Sequence, residues 1–296
     1  MKHYNLPGIF KIIPLILVIN VTLSAQITKF TPGKKWLADD GKHINAHACG
    51  IYYENGTYYW FGECRPGKGV SCYTSNDLYN WKNEGLAFKP EGNGDVKQGC
   101  VMERPKVLKC KKTGKYVLWF HLELAGQGYS AARVATCVAD SVKGPYKFVR
   151  SFRPNNNMSR DQTIWLDDDG TGYHFYSARD NYDMRLHTMT DDFLNATTKD
   201  AMIFQKGAHR EAPAVFKYNK KYYCITSGCT GWDPNAARYD VTDDLWKTPW
   251  TTKGNPCTGN NAGKTFNGQS TFVLKVEGYK DAFIFIADIW NKNDLA

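Results

Sequence analysis

Apolar and aromatic residues along this chain gather in short runs broken by turn residues, without the three-to-four spacing of an amphipathic helix. His47-Ala48-Cys49-Gly50-Ile51-Tyr52 turns at Asn55-Gly56 into Tyr58-Tyr59-Trp60-Phe61. Glu103 to Leu108 leads through Lys109–Lys115 into Tyr116-Val117-Leu118-Trp119-Phe120. Asp161 to Leu166 turns at Asp167–Gly170 into Tyr173–Ser177, and Glu211 precedes Ala214–Lys217, which turns at Asn219-Lys220-Lys221 into Tyr222–Ser227. Gln269 to Leu274 turns near Gly278 into Ala282–Ile286. Each unit reads as strand, turn and aromatic strand.

The unit starts fall at 47, 103, 161, 211 and 269, spacings of 56, 58, 50 and 58 residues. That period is longer than a solenoid rung and suits a four-stranded propeller blade. The expected fold is all-β, a five-bladed β-propeller. Its fifth blade is incomplete, because only two clear strands, Ser270–Val276 and Asp281–Asp288, precede the last residue. Either residues 27–37 supply a closing strand or the sequence is a fragment; we expect a fragment. Outer-blade elements are expected around Ser75–Trp81, Gly144–Phe148, Thr190–Leu194 and Thr242–Trp246. First strands line the axis of a propeller, so His47, Glu103, Asp161, Glu211 and Gln269 should face one another at one end of the channel. Blade packing alone does not need such a polar ring. Pro213 adds rigidity beside Glu211, and its ring should hold Ala212 extended.

Residues 1–25 read as an export signal: Lys2 and Lys11, an apolar run from Ile12 to Val21, and the small-residue site Leu23-Ser24-Ala25. The run is too short to span a bilayer. The expectation is a secreted or periplasmic protein whose propeller domain occupies 26–296. Net charge is +9, about +7 once the two signal lysines leave. The basic residues are scattered rather than clustered, which argues against nucleic acid as a partner and is compatible with an acidic polysaccharide.

Nine cysteines leave at least one unpaired. Cys64 with Cys72, and Cys224 with Cys229, flank tight turns, but spacing does not fix connectivity. No paired CxxC or HExxH motif is present, so no metal is expected. Asp167-Asp168-Asp169-Gly170 lacks the later glutamate of an EF-hand and reads as a hairpin turn. No cofactor is expected either. Aromatic faces stack on sugar rings, and Tyr129 and Trp232, in glycine-rich loops, are the candidates for the channel mouth.

Several of these stretches resemble glycoside hydrolase family 43, and more narrowly its exo-β-1,3-galactanase-like, arabinogalactan-degrading branch. They are Ile44–Gly50, Tyr58–Glu63, Met102–Val107, Ser159–Thr163, Arg210–Ala214, Ser227–Trp232 and Gln269–Phe272, in family order. The resemblance implies hydrolysis of an oligo- or polysaccharide of galactan type with inversion, and arabinofuranosidase or xylosidase activity is the alternative within the family. A carbohydrate-binding propeller without turnover is the alternative outside it. Glu211 matches the general acid, and Asp161 the carboxylate that raises its pKa. Arg210 and Arg160 either balance charge or point into the blades. Where typical members carry an aspartate base, this chain has His47, either a structural histidine or a sugar contact. The branch carries a glutamine matched by Gln269, which either orients the attacking water or passes its proton through an imidic-acid tautomer. Glu103 is the alternative base, and otherwise binds sugar, as Glu63 does.

Overall fold

Each strand-turn-strand unit becomes an antiparallel hairpin, and in four of them two further strands extend it outward. The computed structural model describes Met1 and residues 29–293. The first sheet runs β1 (His47–Glu54), β2 (Thr57–Cys64), β3 (Gly69–Ser75) and β4 (Lys82–Phe88) in order. The second holds β5 (Val101–Lys109), β6 (Tyr116–Glu123), β7 (Arg133–Ala139) and β8 (Lys147–Phe152). The third holds β9 (Gln162–Leu166), β10 (Gly172–Ala178), β11 (Asp183–Met189) and β12 (Ala196–Met202). In the fourth are β13 (Arg210–Tyr218), β14 (Lys221–Gly228), β15 (Arg238–Thr242) and β16 (Thr251–Gly254). The last sheet has two strands, β17 (Gln269–Lys275) and β18 (Phe283–Asp288).

The first strands form a closed ring: β1 touches β5, β5 touches β9, β9 touches β13, β13 touches β17 and β17 touches β1. The fold is an all-β propeller. It has four complete blades and a two-stranded sheet, where the sequence led us to expect five blades with only two strands in the last. Residues 29–37 do not join β18; Leu37 makes only an isolated bridge to His43. The export signal read at 1–25 lies outside the described residues, apart from Met1.

Hairpin turns follow local chemistry. Asn55 and Gly56 both take positive φ, 51° and 81°, which matches the twist of paired strands. Third and fourth strands are joined by a repeated Ser/Thr-x-Asp turn, as the sequence counterparts suggested. Asp77 Oδ1 accepts from the N–H of Tyr79 and Asn80, Asp192 Oδ1 from Leu194, and Asp244 Oδ1 from Trp246. Apolar side chains from facing sheets fill the spaces between them. Phe61 and Val70 meet Leu118 and Phe120, Trp119 meets Ile164, and Phe175 and Leu186 meet Val215. The two-stranded sheet is covered on both sides, by Trp60 against Leu274 and by Ile225 against Val273.

The inner strands share one more device. Register slips between His47 and Gly50, Glu103 and Lys106, Glu211 and Ala214, and Ser270 and Phe272. These are β-bulges, which re-aim a side chain at a strand's end. The residue after each of the first three polar groups is left-handed: Ala48 at φ 49°, Arg104 at 55° and Ala212 at 56°. Ala212 is therefore not held extended by Pro213. The bulge overrides the pre-proline preference, because the turned peptide donates Ala212 N–H to Asp161 Oδ2 at 3.0 Å and accepts Ser270 Oγ–H at 2.6 Å. Three neighbouring inner strands are tied together there.

All nine cysteines are free thiols, so neither sequence-adjacent pair is bridged. Among the described residues no helix is long and apolar enough to cross a membrane.

Candidate active site

The inner strands begin at one end of the ring, and there the bulges open a cavity of about 310 Å³. Glu63, Glu103, Asp161, Glu211, Gln269, Tyr129 and Trp232 all line it, as the sequence led us to expect. His47 does not. Its bulge turns Ala48 to the cavity instead, and His47 stacks on Trp290 at 5.5 Å with Nδ1 4.0 Å from Asp288 Oδ1.

Glu211 sits where burial and the Asp161 carboxylate push its pKa up to about 7. Its Oε2 accepts from Asn181 Nδ2 at 2.8 Å, and its Oε1 from Gln269 Nε2 at 2.9 Å. Asp161 is held on both oxygens, by Arg104 Nε at 2.8 Å and by Ala212 N–H. A carboxyl that keeps its proton near neutrality, beside a clamped carboxylate, has the make-up of a general acid.

Across the ring, β1 and β5 are the inner strands that do not touch β13 in ring order. Glu103, at the start of β5, accepts from Tyr129 Oη at 2.6 Å and pairs with His121 Nδ1 at 3.0 Å, with Arg65 3.5 Å away. Burial would raise its pKa, yet His121, Tyr129 and Arg65 together hold it down to about 2. His121 also faces Glu123 at 2.8 Å. Burial works against its charge, but the two carboxylates raise it to about 9. Glu63 lies against Arg65 at 3.0 Å; burial and the Glu103 charge push it up to about 8. The two neighbouring carboxyls are thus pulled apart, one ionised and one carrying a proton.

Gln269 was expected to serve the attacking water on the face opposite Glu211. The structure places it beside Glu211 instead. Its amide is committed: Oε1 accepts from Arg104 Nη2 at 2.8 Å and Trp290 Nε1 at 2.9 Å, and Nε2 donates to Glu211. The reverse amide orientation would set N–H against two donors. An imidic acid, with its O–H at the same position, meets the same conflict.

Arg210 points into its own blade, onto Thr226, whereas Arg160 pairs with Asp180 at the rim. Sequence reasoning missed Arg104, Asn181, His121, Arg65 and Trp290. Arg104 was quoted only as part of Met102–Val107, and nothing in the sequence marked it as buried. Trp290 follows the last strand and gave none. Arg65 is stacked over Trp290 at 4.9 Å. Glu103, His121 and Asp161 place ligand-type atoms within 4.8 Å of one another, but Arg65 and Arg104 already lie against the two carboxylates, leaving a poor cage for a further cation.

A propeller with a buried, proton-retaining carboxyl facing ionised ones at its axial mouth belongs to the class of carbohydrate-cleaving propellers. The chain belongs to the glycosyl hydrolases family 43, whose model matches residues 42–288. It is similar to a family 43 β-1,3-galactosidase at 45% identity and TM-score 0.88, covering 91% of this chain and 58% of that one. A second β-1,3-galactosidase of the family, solved with galactodeoxynojirimycin, is 44% identical with TM-score 0.85, covering 89% and 91%. A variant of the exo-β-1,3-galactanase from Phanerochaete chrysosporium, solved with β-1,3-galactotriose, is 32% identical with TM-score 0.81, covering 89% and 61%. The chain therefore spans less than two thirds of two of these relatives. A search of curated proteins finds no match.

Proposed function

We propose that this protein is an exo-acting glycoside hydrolase that removes galactose from β-1,3-linked galactan with inversion at the anomeric carbon. The observation that carries this reading is Glu211, buried against the Asp161 carboxylate and protonated up to about pH 7. Glu211 donates its proton to the glycosidic oxygen as the bond breaks. Asp161 supplies the charge that keeps that proton on, while Arg104 and the Ala212 amide keep Asp161 in place.

Inversion needs a second group on the far side of the sugar, roughly 6.5–9.5 Å away in such enzymes, to leave room for water. Gln269, 2.9 Å from Glu211, is on the acid's own side. We assign the water to Glu103, an ionised carboxylate from a strand across the ring that retains unused lone pairs. Glu63 and Tyr129 hold sugar hydroxyls, and Trp232 offers an exposed ring for an apolar sugar face. The sugar assignment comes from the relatives that bind galactodeoxynojirimycin and β-1,3-galactotriose.

The β17–β18 sheet reads as the inner half of a fifth blade, because it closes the ring and is flanked by apolar clusters on both faces. Residues 1–25 direct the chain out of the cytoplasm.

Digestion of β-1,3-galactotriose with product analysis tests the reading. Galactose and galactobiose should appear together from the start. Faster hydrolysis of aryl α-L-arabinofuranosides or β-D-xylosides would overturn the sugar. Binding of galactotriose with no hydrolysis of any of these would make the protein a carbohydrate-binding module.

A further inference from the structure

Among the described residues, the side chains that hydrogen-bond to Glu211 all do so as donors. Asn181 Nδ2 occupies Oε2, Gln269 Nε2 occupies Oε1, and the Cys229 thiol also hydrogen-bonds to this carboxyl. A protonated Glu211 in this arrangement meets a donor on each oxygen, so its O–H finds an acceptor only in the cavity or in a reversed amide. Asn181 and Gln269 are both amides and can reverse; Asn181 Oδ1 is buried without a hydrogen-bond partner, whereas the Gln269 amide is held. With Gln269 turned over, its Oε1 would face Glu211 and capture the acid proton. What prevents reversal is the pair of donors on Oε1, Arg104 Nη2 at 2.8 Å and Trp290 Nε1 at 2.9 Å.

We propose that Arg104 and Trp290 are positioning residues that lock the Gln269 amide in one orientation, so that Gln269 does not compete with the substrate for the Glu211 proton. This rests on the assignment of Glu211 as the acid. Arg104 is suited to the task because it is buried, and its remaining contacts, Asp161 Oδ1 at 2.8 Å and the Ser270 carbonyl at 3.1 Å, leave it one position. Trp290 is the replaceable half of the lock. It is partly exposed, follows β18 and holds Gln269 through a single N–H.

The test uses Trp290→Phe, which keeps an aromatic ring and deletes the donor, alone and combined with Gln269→Ala. Freed of one donor, the amide spends part of its time reversed. On a β-1,3-galacto-oligosaccharide, kcat should fall in proportion to the reversed fraction, roughly twofold if losing one hydrogen bond leaves the two orientations near balance. KM should change little, and the loss should shrink on an aryl galactoside with a good leaving group that needs no proton. In a Gln269→Ala background, Trp290→Phe should have almost no further effect, because both act through one amide. A tryptophan that simply stacks on sugar would instead raise KM, with the same factor in both backgrounds.

A substrate-free readout separates this inference from the reading it rests on. The groups facing Glu211 are Asp161, Arg104, Asn181, Cys229 and Gln269, and of these only Gln269 is altered by Trp290→Phe. Losing a donor to the carboxylate raises its pKa, so the Glu211 carboxyl, followed by carbon-13 NMR with labelled glutamate, should titrate at higher pH in Trp290→Phe. It should titrate higher in Gln269→Ala too, and no higher in the double variant. An unchanged titration in Trp290→Phe, or additive effects in the double variant, overturns the proposal. If the protein proves to cleave nothing, the acid assignment fails, while the titration still decides whether the lock exists.

Discussion

At the scale of single residues, the site works by dividing protons among three carboxyl groups. Glu211 and Glu63 keep theirs because burial and a neighbouring carboxylate oppose ionisation, and Glu103 stays ionised because His121, Tyr129 and Arg65 stabilise its charge. Removing the transferable proton by Glu211→Gln should lower kcat on galactan by about 10²- to 10⁴-fold. Binding of galactodeoxynojirimycin, measured by calorimetry, should stay within a few-fold. The pH dependence follows from the raised pKa. The acid must be protonated to act, so kcat/KM should hold through the mildly acidic range and fall as pH passes about 7. A profile that instead falls near pH 4.5, the ordinary carboxyl range, would remove the burial-and-Asp161 argument. Glu103→Gln should abolish turnover, with partial rescue by azide or formate, whereas Gln269→Ala should show its largest deficit on poor leaving groups. Equal deficits on all leaving groups after Gln269→Ala would return the water to Gln269.

At the scale of elements, the decisive feature is the bulge at the start of an inner strand. It turns Glu103 and Glu211 inward and leaves Arg104 and Ala212 left-handed. The polar strand starts were legible because they recur at blade spacing. Their cavity-facing partners were not, since Arg65, His121, Asn181 and Trp290 reach the cavity from second strands and loops that share no spacing. The bulges were also hidden: Pro105 and Pro213 argue locally for extended residues before them, and only the contacts between three strands reverse that preference. His47 shows the same limit. Its position in the repeat is right, but the bulge presents Ala48 instead. Close approach matters as well. A Cβ on Gly62 would lie 2.1 Å from the Ala46 backbone, so Gly62→Ala should destabilise the first blade by about 1–3 kcal/mol. Thermal unfolding should show this as a lower midpoint; an unchanged midpoint would mean that the Ala46 segment yields freely.

At the scale of the whole molecule, the propeller brings strand starts 50 or more residues apart in sequence to one axial mouth. Neighbouring blades supply the acid and its helpers, and blades across the ring supply the opposite wall. Ring order places Glu211 and Glu103 on inner strands that are not neighbours in the ring. The central claim is that a protonated Glu211 and an ionised group across the ring act in one displacement. Proton NMR of the first galactose released from β-1,3-galactotriose, recorded before mutarotation, tests this most directly. The account predicts α-galactose, the inverted anomer; β-galactose as the first product would contradict it.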